Sequence, residues 1–184
     1  MKKATLFCLI CCLLLSVLLC ACSKNEGNGD APEGCLRAGN DAVDYTFCYA
    51  EDWELDRNDG MIAIKRNVGG GTSLAYASIS VQVFTLADSN AGANNYWDQY
   101  RADLVDLYGD RIQFASEKEE TRLGGVIANR NRYTLALSDV TYTFEQVVCV
   151  RNGAVYILTF TAPEGGYDRA VSCFETVIST FDFT

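Results

Sequence analysis

The stretch "AVYILTFTAPEGGYDRAVSCFETVISTF", residues 154–181, contains a strand, a turn and a helix in succession. Its first nine residues are mostly β-branched or aromatic, which is typical of a strand. From Tyr167 onward the apolar residues recur every three or four positions, which predicts an amphipathic helix. The residues predicted on its apolar face are Tyr167, Val171, Phe174, Ile178 and Phe181. This stretch therefore predicts a helix that closes the chain against a sheet.

The residues just before this stretch predict a meander of antiparallel strands. Asn152-Gly153 is the strongest short-range hairpin signal, and it joins residues 140–152 to the strand at 154. Two more alternating segments precede it, at 112–123 and 124–137. Four consecutive strands with short connections are therefore expected in the second half of the chain.

The first half of the chain predicts three further strands and one helix. Alternating or β-branched runs cover 43–55, 61–66 and 74–86. Residues 88–110 then change to helical spacing, and Gly109 is placed to end the helix. The predicted apolar stripe of that helix is Trp97, Tyr100, Leu104 and Leu107. The whole pattern predicts an α+β domain in which one antiparallel β-sheet carries a helix on each face.

Three segments resemble a known family. "DYTFCYAEDWEL", residues 44–55, resembles the aromatic opening of PsbP-like domains, and residues 123–134 and 153–183 are similar to that family's later strands and closing helix. The resemblance implies a PsbP-like α/β/α sandwich over residues 35–184. It brings no catalytic residues. Plant relatives assist the oxygen-evolving complex of photosystem II, but a shared fold does not transfer that role.

The N-terminus predicts export. Lys2 and Lys3 precede an uncharged, largely apolar run from residue 4 to residue 21, which is the layout of a signal peptide. A single transmembrane helix is the alternative, because such a run is of borderline length for crossing about 30 Å of hydrocarbon. "Leu19-Cys20-Ala21-Cys22" resembles the bacterial lipobox, which implies cleavage before Cys22 and attachment of palmitate-type acyl chains to it.

The expected mature protein has a lipid anchor, a tether and one domain. Residues 1–21 form the predicted signal peptide, residues 22–34 the lipidated cysteine and a polar, disordered tether, and residues 35–184 the globular domain. Without the signal peptide, 13 basic and 24 acidic side chains remain, a formal net charge of −11. Such a charge is repelled by anionic lipid and by nucleic acid, so the acyl chains must hold the protein at the membrane.

Four cysteines belong to the predicted domain: Cys35, Cys48, Cys149 and Cys173. In an exported protein they are candidates for two disulfides, and the three possible pairings cannot be ranked from the sequence. The alternative is one or two bridges with the remaining cysteines buried as small apolar residues. Histidine is absent and the domain has no Cys-x-x-Cys pair, so no metal site is expected.

No catalytic pattern stands out, so the protein is not expected to be an enzyme and no cofactor is expected. The usual general base, histidine, is missing, and carboxylates acting alone are the remaining catalytic possibility. The triglycine at 69–71 lacks the lysine and the helix of a phosphate-binding loop. Asp98, Asp103, Asp106 and Asp110 are expected to form an acidic solvated surface, and a weak calcium site is the alternative. Strand alternation places Arg130 and Arg132 together on one face, which we expect to be exposed.

These observations favour a bacterial lipoprotein on the extracytoplasmic face of the cell membrane. We expect it to present its PsbP-like domain as an interaction or accessory module to an unknown envelope or membrane protein. The alternative is a lipoprotein that captures a small molecule, a sugar or a cation. Tyr96, Trp97 and Tyr100 could form a sugar platform, although aromatic residues at this spacing more often belong to a core.

Overall fold

A computed structural model describes residues 31–58, 61–69, 75–88 and 91–184. The predicted signal peptide, the predicted lipidation site Cys22, most of the predicted tether and Gly70-Gly71 lie outside these residues. The last residues of the predicted tether lead directly into the domain, since the Pro32 carbonyl accepts a hydrogen bond from the Cys35 N–H and the Gly34 carbonyl accepts one from Glu51.

The chain forms ten strands and two helices within the described residues. The first five strands are β1 (Cys35–Ala38), β2 (Tyr45–Ala50), β3 (Glu54–Asn58), β4 (Met61–Asn67) and β5 (Tyr76–Thr85). Helix α1 (Ala93–Tyr108) and a 3₁₀ turn (Gly109–Arg111) follow. The second half comprises β6 (Ile112–Leu123), β7 (Val126–Leu137), β8 (Val140–Arg151), β9 (Ala154–Pro163), α2 (Tyr167–Thr180) and β10 (Asp182–Phe183).

Seven of the strands form one antiparallel sheet in the order β3-β4-β5-β9-β8-β7-β6. The meander β6 to β9 makes up the larger part of it, as predicted. Asn152 and Gly153 both have positive φ angles, 51° and 76°, which is the backbone of the predicted two-residue hairpin turn. Strands β1, β2 and β10 form a small separate sheet. The α+β fold class is therefore confirmed.

The two helices lie on opposite faces of the large sheet. Phe174 and Val177 of α2 belong to the same core as Val147 of β8, whereas Trp97 of α1 packs into a cluster with Phe144 of the same strand. Because positions 144 and 147 of a strand point to opposite faces, the sheet is covered by α2 on one side and by α1 on the other. This is the α/β/α layering that the sequence predicts.

The structure differs from the sequence-based prediction in several respects, and β1, β10 and the small sheet that they form with β2 were not predicted. The strand expected over 43–55 is two strands, because the chain turns after β2, where the Trp53 N–H donates to the Ala50 carbonyl. β2 then pairs with β1 and β10, while β3 joins the large sheet. In α1, Leu107 is 39% exposed although its spacing matches the buried Trp97, Tyr100 and Leu104.

Candidate functional site

A row of buried polar side chains crosses the sheet face that carries α1. Ser80, Thr159, Gln146 and Asn131 are directly opposite one another on β5, β9, β8 and β7. Each is at most 3% exposed, and Gln146 Nε2 donates to Thr159 Oγ1 over 3.2 Å. Buried polar groups are costly unless they are hydrogen-bonded. A continuous row of them is therefore a feature that simple core packing does not require.

This polar row separates two apolar clusters on the same face. On one side, α1 packs its aromatic residues against Tyr133 and Phe144. On the other side, Val148, Val155 and Ile157 form a smaller cluster. Tyr100 borders the row: burial raises the pKa of its phenol, and hydrogen bonds with the side chains of Gln146 and Tyr133 oppose that rise. The row is thus built into the layer between α1 and the sheet.

Three asparagines extend the polar row to the surface. Asn131 Nδ2 donates to Asn129 Oδ1 over 2.6 Å, and Asn129 Nδ2 donates to Asn94 Oδ1 over 2.9 Å. The Lys118 N–H donates to Asn131 Oδ1 over 2.8 Å. We call Asn131, Asn129 and Asn94 the asparagine chain. Each of its hydrogen bonds is donated in the same direction, from β6 toward α1, and aligned hydrogen bonds polarise one another. The asparagine chain ends at Asn94, which is exposed in the first turn of α1.

Lys118 occupies an irregular position of β6. Its φ is 56°, and the register of β6 against β7 shifts between Ser116 and Glu119. A left-handed backbone at a residue other than glycine is uncommon and costs free energy, so a surrounding structure must hold it. Here the Asn131 side chain holds the Lys118 amide, and the Lys118 ammonium pairs with Asp98 of α1 at 2.5 Å. The bulge thereby turns Lys118 toward the first turns of α1.

A cleft of about 560 Å³ opens where the asparagine chain reaches the surface. Its polar lining includes Asn94, Asn129, Lys118 and Glu120. Its apolar lining includes Val126, Ile127 and Val150. Ile127 is 61% exposed, an unusual degree for a large aliphatic side chain. The cleft therefore combines fixed carboxamides, both signs of charge and an aliphatic wall, which is the composition of a small-molecule site.

A second cavity, of about 580 Å³, lies between the β6–β7 hairpin and the end of α2. Arg122 and the hairpin glycines line it from one side, and Ile178, Ser179 and Phe181 from the other. Glu120 is the one carboxylate that lines either of these two cavities. Neither cavity therefore offers the pair of carboxylates that hydrolysis without histidine requires.

A buried charge cluster lies on the opposite face of the sheet, beside α2. The Glu145 carboxylate is 1% exposed and accepts hydrogen bonds from Arg130 at 2.5 Å, from Arg132 at 3.3 Å and from the Tyr167 hydroxyl at 2.6 Å. Arg130 also pairs with Glu175. The expectation that Arg130 and Arg132 form an exposed face is wrong for Arg130, whose side chain is only 20% exposed. The cluster joins β7 and β8 to α2.

The ionisation of this cluster follows from its contacts. Burial alone raises the pKa of the Glu145 carboxyl, but the bonds from Tyr167 and Arg130 and the arginine charges outweigh it, so the pKa lies below its ordinary value. Burial and the neighbouring carboxylate raise the pKa of Tyr167 to about 12. Glu145 is consequently a fixed anion at neutral pH, neutralised by arginine, and not a candidate general acid or base.

The predicted disulfide candidates are free thiols in the structure. Cys35 is half-buried in β1, while Cys48, Cys149 and Cys173 are buried. Cys35 interacts electrostatically with Cys48 and with Cys173, whereas Cys149 interacts electrostatically with Arg151. Burial raises the pKa of Cys149 to about 12 and that of Cys173 to about 11. Three thiols therefore share one region around the small sheet, and the fourth lies apart.

The remaining candidates from the sequence have structural positions. Trp97 and Tyr100 belong to the core beneath α1, so they are not an exposed sugar platform. Asp98 is paired with Lys118. Across the described ranges, no cluster of three or more cysteine or carboxylate side chains is arranged to hold a metal ion. The buried polar row and its asparagine chain were missed, since nothing in the spacing of Asn94, Asn129 and Asn131 indicates that they meet.

Comparison with known proteins identifies the fold. No protein-family model and no curated protein sequence matches the chain. Among solved structures, cyanobacterial PsbP (CyanoP) from Synechocystis is similar, with a TM-score of 0.53 and 16% identity over 90% of this chain and 99% of that protein. The described domain therefore has the PsbP-like fold.

Two other solved structures share this architecture. LpqN, involved in cell envelope biogenesis of Mycobacterium tuberculosis, has a TM-score of 0.55 and 13% identity over 82% of this chain and 91% of that protein. A protein from Bacteroides thetaiotaomicron has a TM-score of 0.51 and 13% identity over 80% of this chain. The chain spans about half of that protein's length, 48%. In the described part of the chain, neither helix has the length and apolar character needed to cross a membrane.

Proposed function

We propose that this protein is a lipid-anchored accessory module of the bacterial cell envelope, which presents its PsbP-like domain to an envelope or membrane protein on the extracytoplasmic face. The observation that carries the proposal is the fold shared with CyanoP and with LpqN, a protein involved in cell envelope biogenesis. The lipobox-like residues before Cys22 agree with that location. The polar residues between Cys22 and the domain, which include no large apolar side chain, then act as the tether.

The chemistry of the domain supports a role without catalysis. The chain has no histidine, and its buried carboxylate Glu145 is neutralised by arginine. Tyr96, Trp97 and Tyr100 contribute to packing beneath α1. Recognition of a protein partner requires none of these groups to react, so the domain acts through its surface.

Two measurements on the full-length protein test this role. Intact-mass analysis of the protein from its native membrane is expected to show a chain that begins at acylated Cys22. The Cys22→Ala variant is expected to keep residues 1–21 and to carry no acyl chain, because the predicted cleavage and acylation both depend on the cysteine at position 22. Cross-linking in cells is expected to join the wild-type protein to an envelope protein, with an unrelated lipid-anchored domain as control. An unmodified Cys22, or cross-links identical to those of the control, would overturn the proposal.

One observation favours a second function, the binding of a small ligand. The cleft at the start of α1 has a fixed polar lining and an exposed aliphatic wall, which partner recognition alone does not explain. A panel of small molecules tested by thermal unfolding examines this function, because a bound ligand raises the melting temperature by mass action.

A further inference from the structure

The cleft at the start of α1 has a specific charge arrangement. Lys118 is the cation in its lining, and Asp98 neutralises it at a distance of 2.5 Å. Glu120 is exposed and has no ion-pair partner among the described residues. The uncompensated charge in the cleft is therefore that of the Glu120 carboxylate. This negative charge favours a ligand with an ammonium group.

Glu120 is held close to the buried end of the cleft. It is directly opposite Asn129 in the pairing of β6 with β7, so the two side chains share one face and their Cβ atoms are about 5 Å apart. Asn129 is 3% exposed, and its hydrogen bonds to Asn131 and Asn94 fix its orientation. Glu120 thus begins beside a rigid carboxamide and contributes to the lining of the cleft.

The asparagine chain determines which hydrogen-bonding groups remain for a ligand. Asn94 uses its Oδ1 to accept from Asn129, so its Nδ2 remains as a donor directed away from that bond. Because all bonds of the chain run toward Asn94, polarisation strengthens this terminal donor. A donor of this kind favours an anionic acceptor such as a carboxylate. The cleft consequently offers an acceptor at Glu120 and a donor at Asn94.

The third element of the cleft is apolar. Val126, Ile127 and Val150 line it, and Ile127 is 61% exposed. Burial of such a side chain by a ligand is favourable because it removes apolar surface from water. An aliphatic group on the ligand would cover it.

We infer that this cleft binds a zwitterion with an aliphatic side chain, namely an aliphatic α-amino acid or a dipeptide of such residues. The ligand's ammonium group meets Glu120, its carboxylate meets the Asn94 amide, and its side chain packs on Ile127. The volume of about 560 Å³ leaves room for the dipeptide as well as the free amino acid. This inference rests on the second function proposed above and is independent of the accessory role.

Calorimetric titration of the full-length protein in detergent tests the inference, with L-leucine and L-leucyl-L-leucine as probes. Three reduced probes each lack one feature: 4-methylpentanoate lacks the ammonium group, isopentylamine lacks the carboxylate, and glycine lacks the side chain. We expect at least one zwitterionic probe to bind, and each reduced probe to bind at least tenfold more weakly. No heat from either zwitterion at millimolar concentration, or equal affinity for a reduced probe, would overturn the inference.

Two variants localise the binding. Glu120→Gln keeps the shape of the side chain and removes its charge, so the affinity for the zwitterion is expected to fall at least tenfold. Glu119→Gln is the matched control, because Glu119 is the exposed neighbour and does not line the cleft. The affinity of the Glu119→Gln variant for the zwitterion is expected to equal that of the wild type. Equal affinities in all three proteins, or equal losses in both variants, would show that the binding site lies elsewhere.

The same panel separates the inference from the function on which it rests. A rise in melting temperature with another class of compound, and none with either zwitterion, would overturn the ligand assignment and leave small-molecule binding in place. If no compound raises the melting temperature, both the ligand assignment and small-molecule binding are overturned. The envelope role would still depend on the mass and cross-linking results.

Discussion

The Glu145 carboxylate of β8 lies 2.5 Å from Arg130 Nε of β7, and it is 1% exposed. Glu145 also accepts a hydrogen bond from the Tyr167 hydroxyl, which connects α2 to the large sheet. Buried ion pairs owe little net stability to their charges, but loss of one partner leaves the other uncompensated. The cluster is therefore the polar contact of the domain that is most sensitive to substitution.

Replacement of Glu145 by Gln is expected to lower the free energy of unfolding by about 3–5 kcal/mol, because two arginines lose their buried counter-charge. Urea denaturation of the full-length protein measures this change in the free energy of unfolding. Since the pKa of Glu145 is lowered on folding, its stabilisation is present above the ordinary carboxyl pKa and disappears as the pH falls through the folded value. The difference between variant and wild type should thus shrink in acid.

Glu175→Gln is the matched control for this experiment. Glu175 binds the same Arg130, but its side chain is 52% exposed. Its loss should therefore cost less than about 1 kcal/mol. Equal losses in the two variants, or a difference that stays constant as the pH falls, would contradict the importance assigned to burial.

Tyr167→Phe is expected to lower the free energy of unfolding by about 1.5–3 kcal/mol at pH 8, since it removes a hydrogen bond to a charged group. The pKa of Tyr167 is raised to about 12, so this stabilisation is complete below the ordinary tyrosine pKa and is lost as the pH rises toward 12. Guanidinium denaturation at pH 8 and at pH 11 should show a smaller difference at the higher pH. A larger difference at pH 11 is the result that contradicts this assignment.

The two glycines of the β6–β7 hairpin make a matched pair. Both have positive φ angles, 54° at Gly124 and 78° at Gly125, so alanine at either position is strained by about 1–2 kcal/mol. A Cβ at Gly124 would also lie 2.5 Å from the Phe183 ring, whereas one at Gly125 meets no atom within 4 Å. Thermal unfolding should show Gly124→Ala to be less stable than Gly125→Ala by about a further 1–3 kcal/mol. Equal melting temperatures would mean that the Phe183 ring moves freely.

Asn131→Ala is expected to destabilise the domain by about 2–4 kcal/mol, because the Lys118 N–H and Asn129 Oδ1 both lose their buried partner. Asn95→Ala is the control, since Asn95 is exposed in the same cleft. Its effect on urea denaturation should stay below about 0.5 kcal/mol. If both substitutions have the same small effect, the asparagine chain has no structural importance.

The four domain cysteines lie on four different tryptic peptides, so alkylation of each can be measured by mass spectrometry. In the folded, reduced protein, Cys35 should react first because it is the half-buried thiol. Cys149 should react last, since burial raises its pKa to about 12 and the thiolate is the reactive form. Rapid labelling of Cys149 without loss of folded protein would contradict its position in the core.

Much of the architecture could be predicted from local patterns. The bounds of β6 follow directly from alternation, and the Asn152-Gly153 turn aligns β8 with β9 because a two-residue turn permits only one register. Gly109 ends α1 as predicted, with a φ angle of 53°. Local patterns could not show that the chain passes from the small sheet to the large sheet after Ala50, since both sides of that break are extended.

Most residues of the candidate site could not be predicted from the sequence. Glu145 occurs in the middle of an apolar strand, "TFEQVVCV", which could have marked it as a buried charge with a partner. Nothing comparable marks Asn94, because its contact with Asn129 crosses from a helix to a strand 35 residues away. Lys118 enters the cleft through a bulge whose position depends on the pairing of β6 with β7.

By itself, the sequence determined the α+β class, the order of the meander, the turn at Asn152-Gly153 and the two helices. Each of these depends on residues within a few positions of one another, where backbone preference and apolar periodicity act directly. Only the tertiary structure decided that Ser80, Thr159, Gln146 and Asn131 line up across four strands, and that Glu120 and Asn94 face one cleft. Those relationships arise from strand register and from the packing of α1 on the sheet, and no local segment of the chain contains both partners.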